Sequence, residues 1–449
     1  MKSDNSLKKQ AIWLFSGTVF AAIVQLVQLG IIARSFDTRE LGILAIINAV
    51  LMVAMVLQDM GMSSYLVHRQ IITAREQSTI FWVNVFFGLA TGILILLLAY
   101  PLAVFYNMPE LIYLFGLVSL NFFILGAMSQ YQAHFVKRKL LITLSKIEMI
   151  SKFISFLVTI ILIYSTKLTV SAVIIGQFSN AFLRLLLMLL MGERSWHPSF
   201  MFCKITFKNA LHYGSYQLGS QTINQLRTQA DTFIIGKFLG AEFLGVYSLA
   251  KELILQPLKL ITPVINRLTL PRFAEKQSSI NELKILFLRS INLIVNYSAA
   301  VYITIGLGAY IGVRLLYGPG HEKVAELIPY MLLLGVLRPM GGLTGAISQA
   351  NGTTKKEFVW NIWAGFIVVI IVFTSMVGSS LSLVAMSLSI AQAVMSIAVY
   401  PIFVRPVVGV TFKEYILSWG GTAAISLLIV FCMNYFNLSE LLYRLFFIR

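Results

Sequence analysis

The chain has 449 residues, 58% of them hydrophobic and only 12% charged, and its mean hydropathy is +0.83. About a quarter of the residues in a soluble globule are charged, so these values exclude a string of soluble domains and identify a polytopic membrane protein. The charge is one-sided as well as sparse: 35 Lys and Arg stand against 18 Asp and Glu, a net charge of +17.

A helix needs about 20 apolar residues to cross a bilayer. Thirteen candidate spans follow along the chain, at 11–33, 41–60, 80–103, 110–130, 147–165, 168–191, 211–235, 244–263, 290–313, 326–348, 358–378, 381–404 and 413–435. The runs are long and do not alternate, so the chain is expected to be all-α rather than a barrel. The start, MKSDNSLKKQ before an apolar run, resembles a signal sequence, but no small-residue cleavage site follows and a retained first helix is expected. The last stretch, Leu438–Arg449, is apolar but too short to span and is expected to lie along the membrane interface.

The basic residues orient the spans. With the N-terminus in the cytoplasm, inside segments hold 21 Lys and Arg and outside loops hold 6. Two more lie in the C-terminal tail, and six remain at membrane depth: Lys152, Arg184, Arg227, Lys251, Lys259 and Arg338. The basic excess therefore serves orientation and contact with anionic lipid, and it implies no nucleic acid.

The chain also repeats itself. IIARSFDTRELGILA from Ile31 and IIGKFLGAEFLGVYS from Ile234 align without a gap at an offset of 203, each at the junction between two spans. Six spans separate them, so the halves share one orientation, the plan of transporters built from parallel repeats. Chance similarity between two apolar stretches is the alternative. The expected division is an N-terminal six-helix lobe over 1–200, a C-terminal six-helix lobe over 201–405, and an extra span with a short tail over 406–449.

A charge at the bilayer centre costs at least about 2.5–3.5 kcal/mol, so charged residues there face protein or a water-filled cavity. Span seven is the most informative. Gln217, Ser220, Asn224, Arg227 and Asp231 recur at spacings of 3, 4, 3 and 4, one stripe of a helix, and Tyr213 extends it. Arg227 and Asp231 are four residues apart and able to pair. Lys251 and Glu252 of span eight sit at the same depth, which permits crossed pairing of Asp231 with Lys251 or Arg227 with Glu252. Such a cluster either meets an anionic headgroup in a cavity or only glues two helices.

Arg338 lies near the midplane of span ten in GVLRPMGGLTG, where Pro339 and the glycines predict a kinked or broken helix. Its guanidinium suits bidentate contact with phosphate or carboxylate, or it satisfies a carbonyl freed by the proline. Arg184 in span six either faces a cavity or snorkels to the cytoplasmic interface. Glu148 and Lys152 read as an interfacial pair. Asp59, at the inner end of span two, has a helix-end, hinge or binding role. No catalytic or metal-ligating pattern emerges: Cys203 and Cys432 are far apart, the five histidines lack ligand spacing, and no GxxxxGK[ST] nucleotide loop occurs. No cofactor is expected.

Three segments resemble a known family. QDMGMSSYLVHRQ (58–70) is similar to the DxGxxxxLI/VxR segment after its second helix. RTQADTFIIGKFLGAEFLGVYSLAKELILQPLKLITPVINRLTLPRFA (227–274) is similar to its second-lobe hallmark: an Asp, IGKFLG, LGxYxxA, a proline-bearing helix and a final xPxFA/S. SQANGTTKK (348–356) resembles its loop after helix ten. By these, the chain is identified as a member of the polysaccharide transporter, Wzx-type, branch of the multidrug/oligosaccharidyl-lipid/polysaccharide flippases.

The resemblance covers most of 5–405. It implies two six-helix lobes in pseudo-twofold repeat forming a V around a central, often cationic cavity. It also implies alternating-access transport of an undecaprenyl-diphosphate-linked oligosaccharide across the bacterial inner membrane for surface polysaccharide, O-antigen or exopolysaccharide. Only one charged position carries over, Asp231, in a binding or a structural role. Thirteen spans fall between the family's twelve- and fourteen-helix forms.

The expected substrate cavity therefore comprises Gln217, Asn224, Arg227, Asp231, Lys251, Glu252, Arg338 and Arg184, with Arg227, Lys251 and Arg338 on the diphosphate and Gln217, Asn224 and aromatic residues on the sugars. A proton or sodium gradient is the expected drive, and polysaccharide polymerase or assembly proteins are expected partners. The alternative is a cation-coupled multidrug antiporter of the same superfamily, which needs acidic residues to dominate the cavity; here six bases face four acids at membrane depth. A membrane polymerase or acyltransferase is disfavoured because a large outside loop is missing, and no enzymatic activity is expected.

Overall fold

The structure, a computed structural model, describes residues 2–60, 72–138, 140–192, 198–276, 279–350, 354–378 and 380–447. Within its helices the side chains of a few positions, Tyr213 and Gln217 among them, lie outside that description, as do most of the 58–70 motif and residues 351–353 of the SQANGTTKK loop. All regular structure among the described residues is helical. The chain divides into two compact units, Met1–Leu226 and Arg227–Arg449.

The first unit holds α1 (Lys2–Ser35), α2 (Thr38–Asp59), α3 (Ala74–Tyr106), α4 (Glu110–Lys137), α5 (Leu141–Ser165), α6 (Val170–Met191) and the first part of α7 (Lys204–Phe238). The turn from α1 into α2 is fixed by a capping box, in which Asp37 accepts from the Glu40 N–H at 2.7 Å and the Glu40 carboxylate accepts from the Asp37 N–H at 3.1 Å. The same device starts α3 at Thr73 with Glu76. Small residues let α3 and α4 come close. A Cβ added at Gly88 would lie 2.6 Å from the Phe122 carbonyl oxygen, and one at Gly126 would lie 2.6 Å from that of Asn84. At Asp59 α2 ends, and Met60 turns the chain out of it in the left-handed region at φ 42°.

The second unit holds the rest of α7, then α8 (Gly240–Lys276), α9 (Ile280–Leu307), α10 (Ala309–Tyr317), α11 (Glu322–Leu337), α12 (Pro339–Ala350), α13 (Thr354–Ser375) and α14 (Leu381–Val399). A π-helical turn, Tyr400–Val404, leads from α14 into the short α15 (Arg405–Val408), followed by α16 (Phe412–Tyr435) and α17 (Leu438–Phe447). The chain breaks between α1 and α2 at 36–37 and between α7 and α8 at 239, positions that correspond at the repeat offset of 203 to within a residue. The aligned Leu41 and Leu244 are both buried, as are Ile32 and Ile235.

Among the described residues, eleven helices are long and apolar enough to cross a membrane. They match eleven of the thirteen expected spans. The other two, α7 and α8, are helices of 35 and 37 residues whose polar side chains lower their hydropathy. Large apolar side chains such as Leu97, Leu190, Leu428 and Tyr435 are exposed on the helix flanks, as lipid-facing surfaces require.

The span at 326–348 is broken as its proline predicts. Arg338 separates α11 from α12, because Pro339 has no N–H to continue the ladder and the backbone closes instead from Gly341 N–H to the Arg338 carbonyl at 3.1 Å. Gly335, one turn earlier, serves a different purpose from kinking. A Cβ there would lie 2.3 Å from the Tyr302 ring, and the Tyr302 hydroxyl donates to the Ile254 carbonyl at 2.7 Å.

Candidate functional site

The C-terminal turns of α7 meet α8. Asp231 is buried, and Lys251 donates to both of its carboxylate oxygens at 2.8 and 2.6 Å. The same ammonium reaches the Thr228 carbonyl at 3.3 Å and the Thr232 hydroxyl at 3.4 Å, so its three protons are used. The Tyr247 hydroxyl donates to Asp231 at 2.5 Å. Tyr247 and Lys251 lie one turn apart on α8, so one helical face delivers both donors to one carboxylate. Of the two crossed pairs, the structure makes Asp231–Lys251. Glu252 turns elsewhere on α8 and accepts from Gln256 at 2.7 Å and from Lys259.

Arg227 and Arg338 complete the group. With Thr228, Asp231 and Lys251 they line a cavity closed by Leu334, Val368, Leu388, Ala391 and Met395 from α11, α13 and α14. Arg227 Nη1 lies 3.6 Å from the Met395 sulfur, and its aliphatic stem packs beside Gly365 of α13. The Asp231 charge attracts Arg338, and the two guanidinium groups repel one another. Among the described residues, none accepts a hydrogen bond from the Arg338 guanidinium. Three cations stand against one carboxylate, which leaves a net charge of +2, with Asp231 already committed to Lys251 and Tyr247.

The arrangement attracts an anion and offers two planar, multidentate donors to it. The cavity measures about 20 Å³, room for roughly one water molecule. A group the size of a diphosphate does not fit into the cavity in this arrangement of the helices.

The remaining expected site residues are not among those that line this cavity. Arg184 lies in the first unit, where it donates to Glu148 of α5. Asn224 lies half-buried on α7, one turn before the cavity, and the Gln217 side chain is outside the described residues. Tyr247 and Met395 are additions. Tyr247 sits four residues before Lys251 inside the LGVYSLA segment, which puts it on the same face of α8, but which way that face points is settled only by the packing of α8 against α7. Met395 carries no such signal, because only tertiary packing brings α14 to α7.

A model of the family described as polysaccharide biosynthesis protein matches residues 31–326. The chain belongs to this family. As a polysaccharide biosynthesis protein it is 55% identical over 377 residues to the amylovoran biosynthesis protein AmsL of Erwinia amylovora, covering 84% of this chain and 97% of that one. Among solved structures it is similar to lipid II flippase MurJ in an inward closed conformation, with TM-score 0.72 and 14% identity over 96% of this chain and 99% of that one. It is also similar to an inward-facing multidrug resistance MATE family transporter of the MOP superfamily, with TM-score 0.63 and 15% identity over 93% and 94%. The fold of this polysaccharide biosynthesis protein is that of these all-helical membrane transporters.

Proposed function

We propose that the protein is a flippase that carries an undecaprenyl-diphosphate-linked oligosaccharide across the bacterial cytoplasmic membrane by alternating access. Family membership supports a role in making surface polysaccharide, and the transporter fold supports movement rather than bond-making. The observation that carries the assignment is the cavity bounded by Arg227, Lys251 and Arg338, which gathers positive charge at membrane depth where isolated charge is costly. In this account the two guanidinium groups hold the diphosphate while the Asp231–Lys251–Tyr247 cluster keeps α7 and α8 together. Asn224, Gln217 and aromatic side chains meet the sugars, and the polyprenyl tail stays in lipid.

The N-terminus lies in the cytoplasm, by the distribution of basic residues. The lobes are 1–200 and 201–405, with 406–449 as an appended span and tail. A proton or sodium gradient drives the cycle, and the exported saccharide passes to polymerase or assembly proteins. The test is export of surface glycan in cells carrying Arg227→Ala or Arg338→Ala at normal protein level. Loss of export with accumulation of the lipid-linked saccharide inside is expected; normal export from both variants overturns the assignment of the cationic cavity.

A further inference from the structure

A second and larger cavity, about 450 Å³, lies where the starts of α8, α10, α11 and α14 meet the end of α16 and the turn into α17. That end of the second unit faces the outside in the proposed orientation. The size is within the range of small-molecule sites and accommodates roughly one or two hexose rings.

Its lining mixes two kinds of group. Phe243, Tyr310 and Tyr330 supply aromatic faces. Lys323, Glu326 and Asn434 are the main hydrogen-bonding groups, and among the described residues none of the three side chains has a hydrogen-bond partner in the protein. Asn437 lines the cavity where α16 turns into α17, in the left-handed region at φ 45°.

Charge separates this cavity from the inner one. Lys323 and Glu326 cancel, whereas the Arg227–Arg338 cavity carries +2. A neutral wall gives no preference for an anionic headgroup. Aromatic faces take the polarised C–H face of a sugar ring, while ammonium, carboxylate and amide groups take its hydroxyls as donors and acceptors together.

We propose that this outer cavity is a saccharide site, which receives sugar residues of the transported molecule at the outer end of the second unit, apart from the cationic cavity that holds its diphosphate. The site rests on the flippase assignment and its orientation. It gives the saccharide a place to dwell after it has crossed and before the next protein takes it.

Protection from a membrane-impermeant maleimide tests the site. Asn434→Cys is placed in a Cys203→Ser, Cys432→Ser background, with Lys167→Cys of an exposed outer loop as the control. Labelling rates are compared in cells that make the complete lipid-linked saccharide, cells that stop at the first sugar, and cells that make none. The complete saccharide is expected to slow labelling at Asn434→Cys by about three-fold, the factor 1 + [L]/Kd for a ligand at twice its Kd. Lys167→Cys is expected to label equally in all three, and Tyr330→Ala is expected to remove the protection.

Equal rates at Asn434→Cys in all three strains, protection that persists without any saccharide, or no labelling from outside would each overturn the site. Glycan export is scored in the same cells. Unprotected labelling while export proceeds removes the outer site and leaves the flippase assignment, whereas export that proceeds without the protein removes the flippase assignment.

Discussion

Replacing Lys251 by Met removes the partner of a buried carboxylate. Asp231 is 2% exposed. It loses two charged hydrogen bonds, at 2.8 and 2.6 Å, and keeps only the one from Tyr247. Removing one member of a buried ion pair costs about 3–5 kcal/mol, because the other charge is left uncompensated. Against a total stability on the order of 5–15 kcal/mol, that is a large share. Adding Asp231→Asn removes the stranded charge, and neutral groups of similar volume fill the same space. The double variant is therefore expected to return to within about 1.5 kcal/mol of the wild type, as volume-conserving replacements do. Denaturant titration of the purified protein in nanodiscs reads both values. A Lys251→Met loss below about 1 kcal/mol, the range of an exposed pair, would refute the clamp between α7 and α8, as would a double variant whose loss equals the sum of the singles.

Further outcomes follow from other positions. Arg338→Lys keeps the charge but loses the planar fork, so export is expected to fall between wild type and Arg338→Ala, measured as surface glycan per unit of protein. Gly335→Ala drives a methyl group to 2.3 Å from the Tyr302 ring, and an overpacking loss of about 1–3 kcal/mol is expected in thermal unfolding, with α11 displaced from α9. Cysteines at Lys167 and Lys356 are expected to label from outside and only after membrane rupture, respectively; the reverse pattern would invert the orientation.

Much of the fold was legible because the bilayer imposes a length and a hydropathy that the sequence states openly. Even α7 and α8, whose polar side chains hide them from a hydropathy threshold, were readable from their stripe and from the paired junctions near Ser35 and Phe238. The break at Arg338 was readable because proline acts on its own backbone. The site was less legible. Asp231 and Lys251 share a depth that residue counting reveals, but Tyr247 as the second donor needs the rotation of α8. Met395 and Leu388 need the packing of α14. Arg184 shows the limit from the other side: the sequence does not say that this cation donates to Glu148 of α5. Gly335 stands in a glycine-rich run that suggests a kink, but its reason lies in Tyr302, more than thirty residues away.

The central claim is movement of a lipid-linked oligosaccharide through a cationic site. The direct measurement is reconstitution of the purified protein into liposomes carrying a fluorescent undecaprenyl-diphosphate oligosaccharide in the outer leaflet, with dithionite quenching to report the fraction that crosses, with and without an imposed proton or sodium gradient. Protein-dependent protection of the fluorophore, lost in Arg227→Ala and Arg338→Ala vesicles, is the predicted result. Equal quenching of wild-type, variant and empty liposomes under every gradient would contradict it.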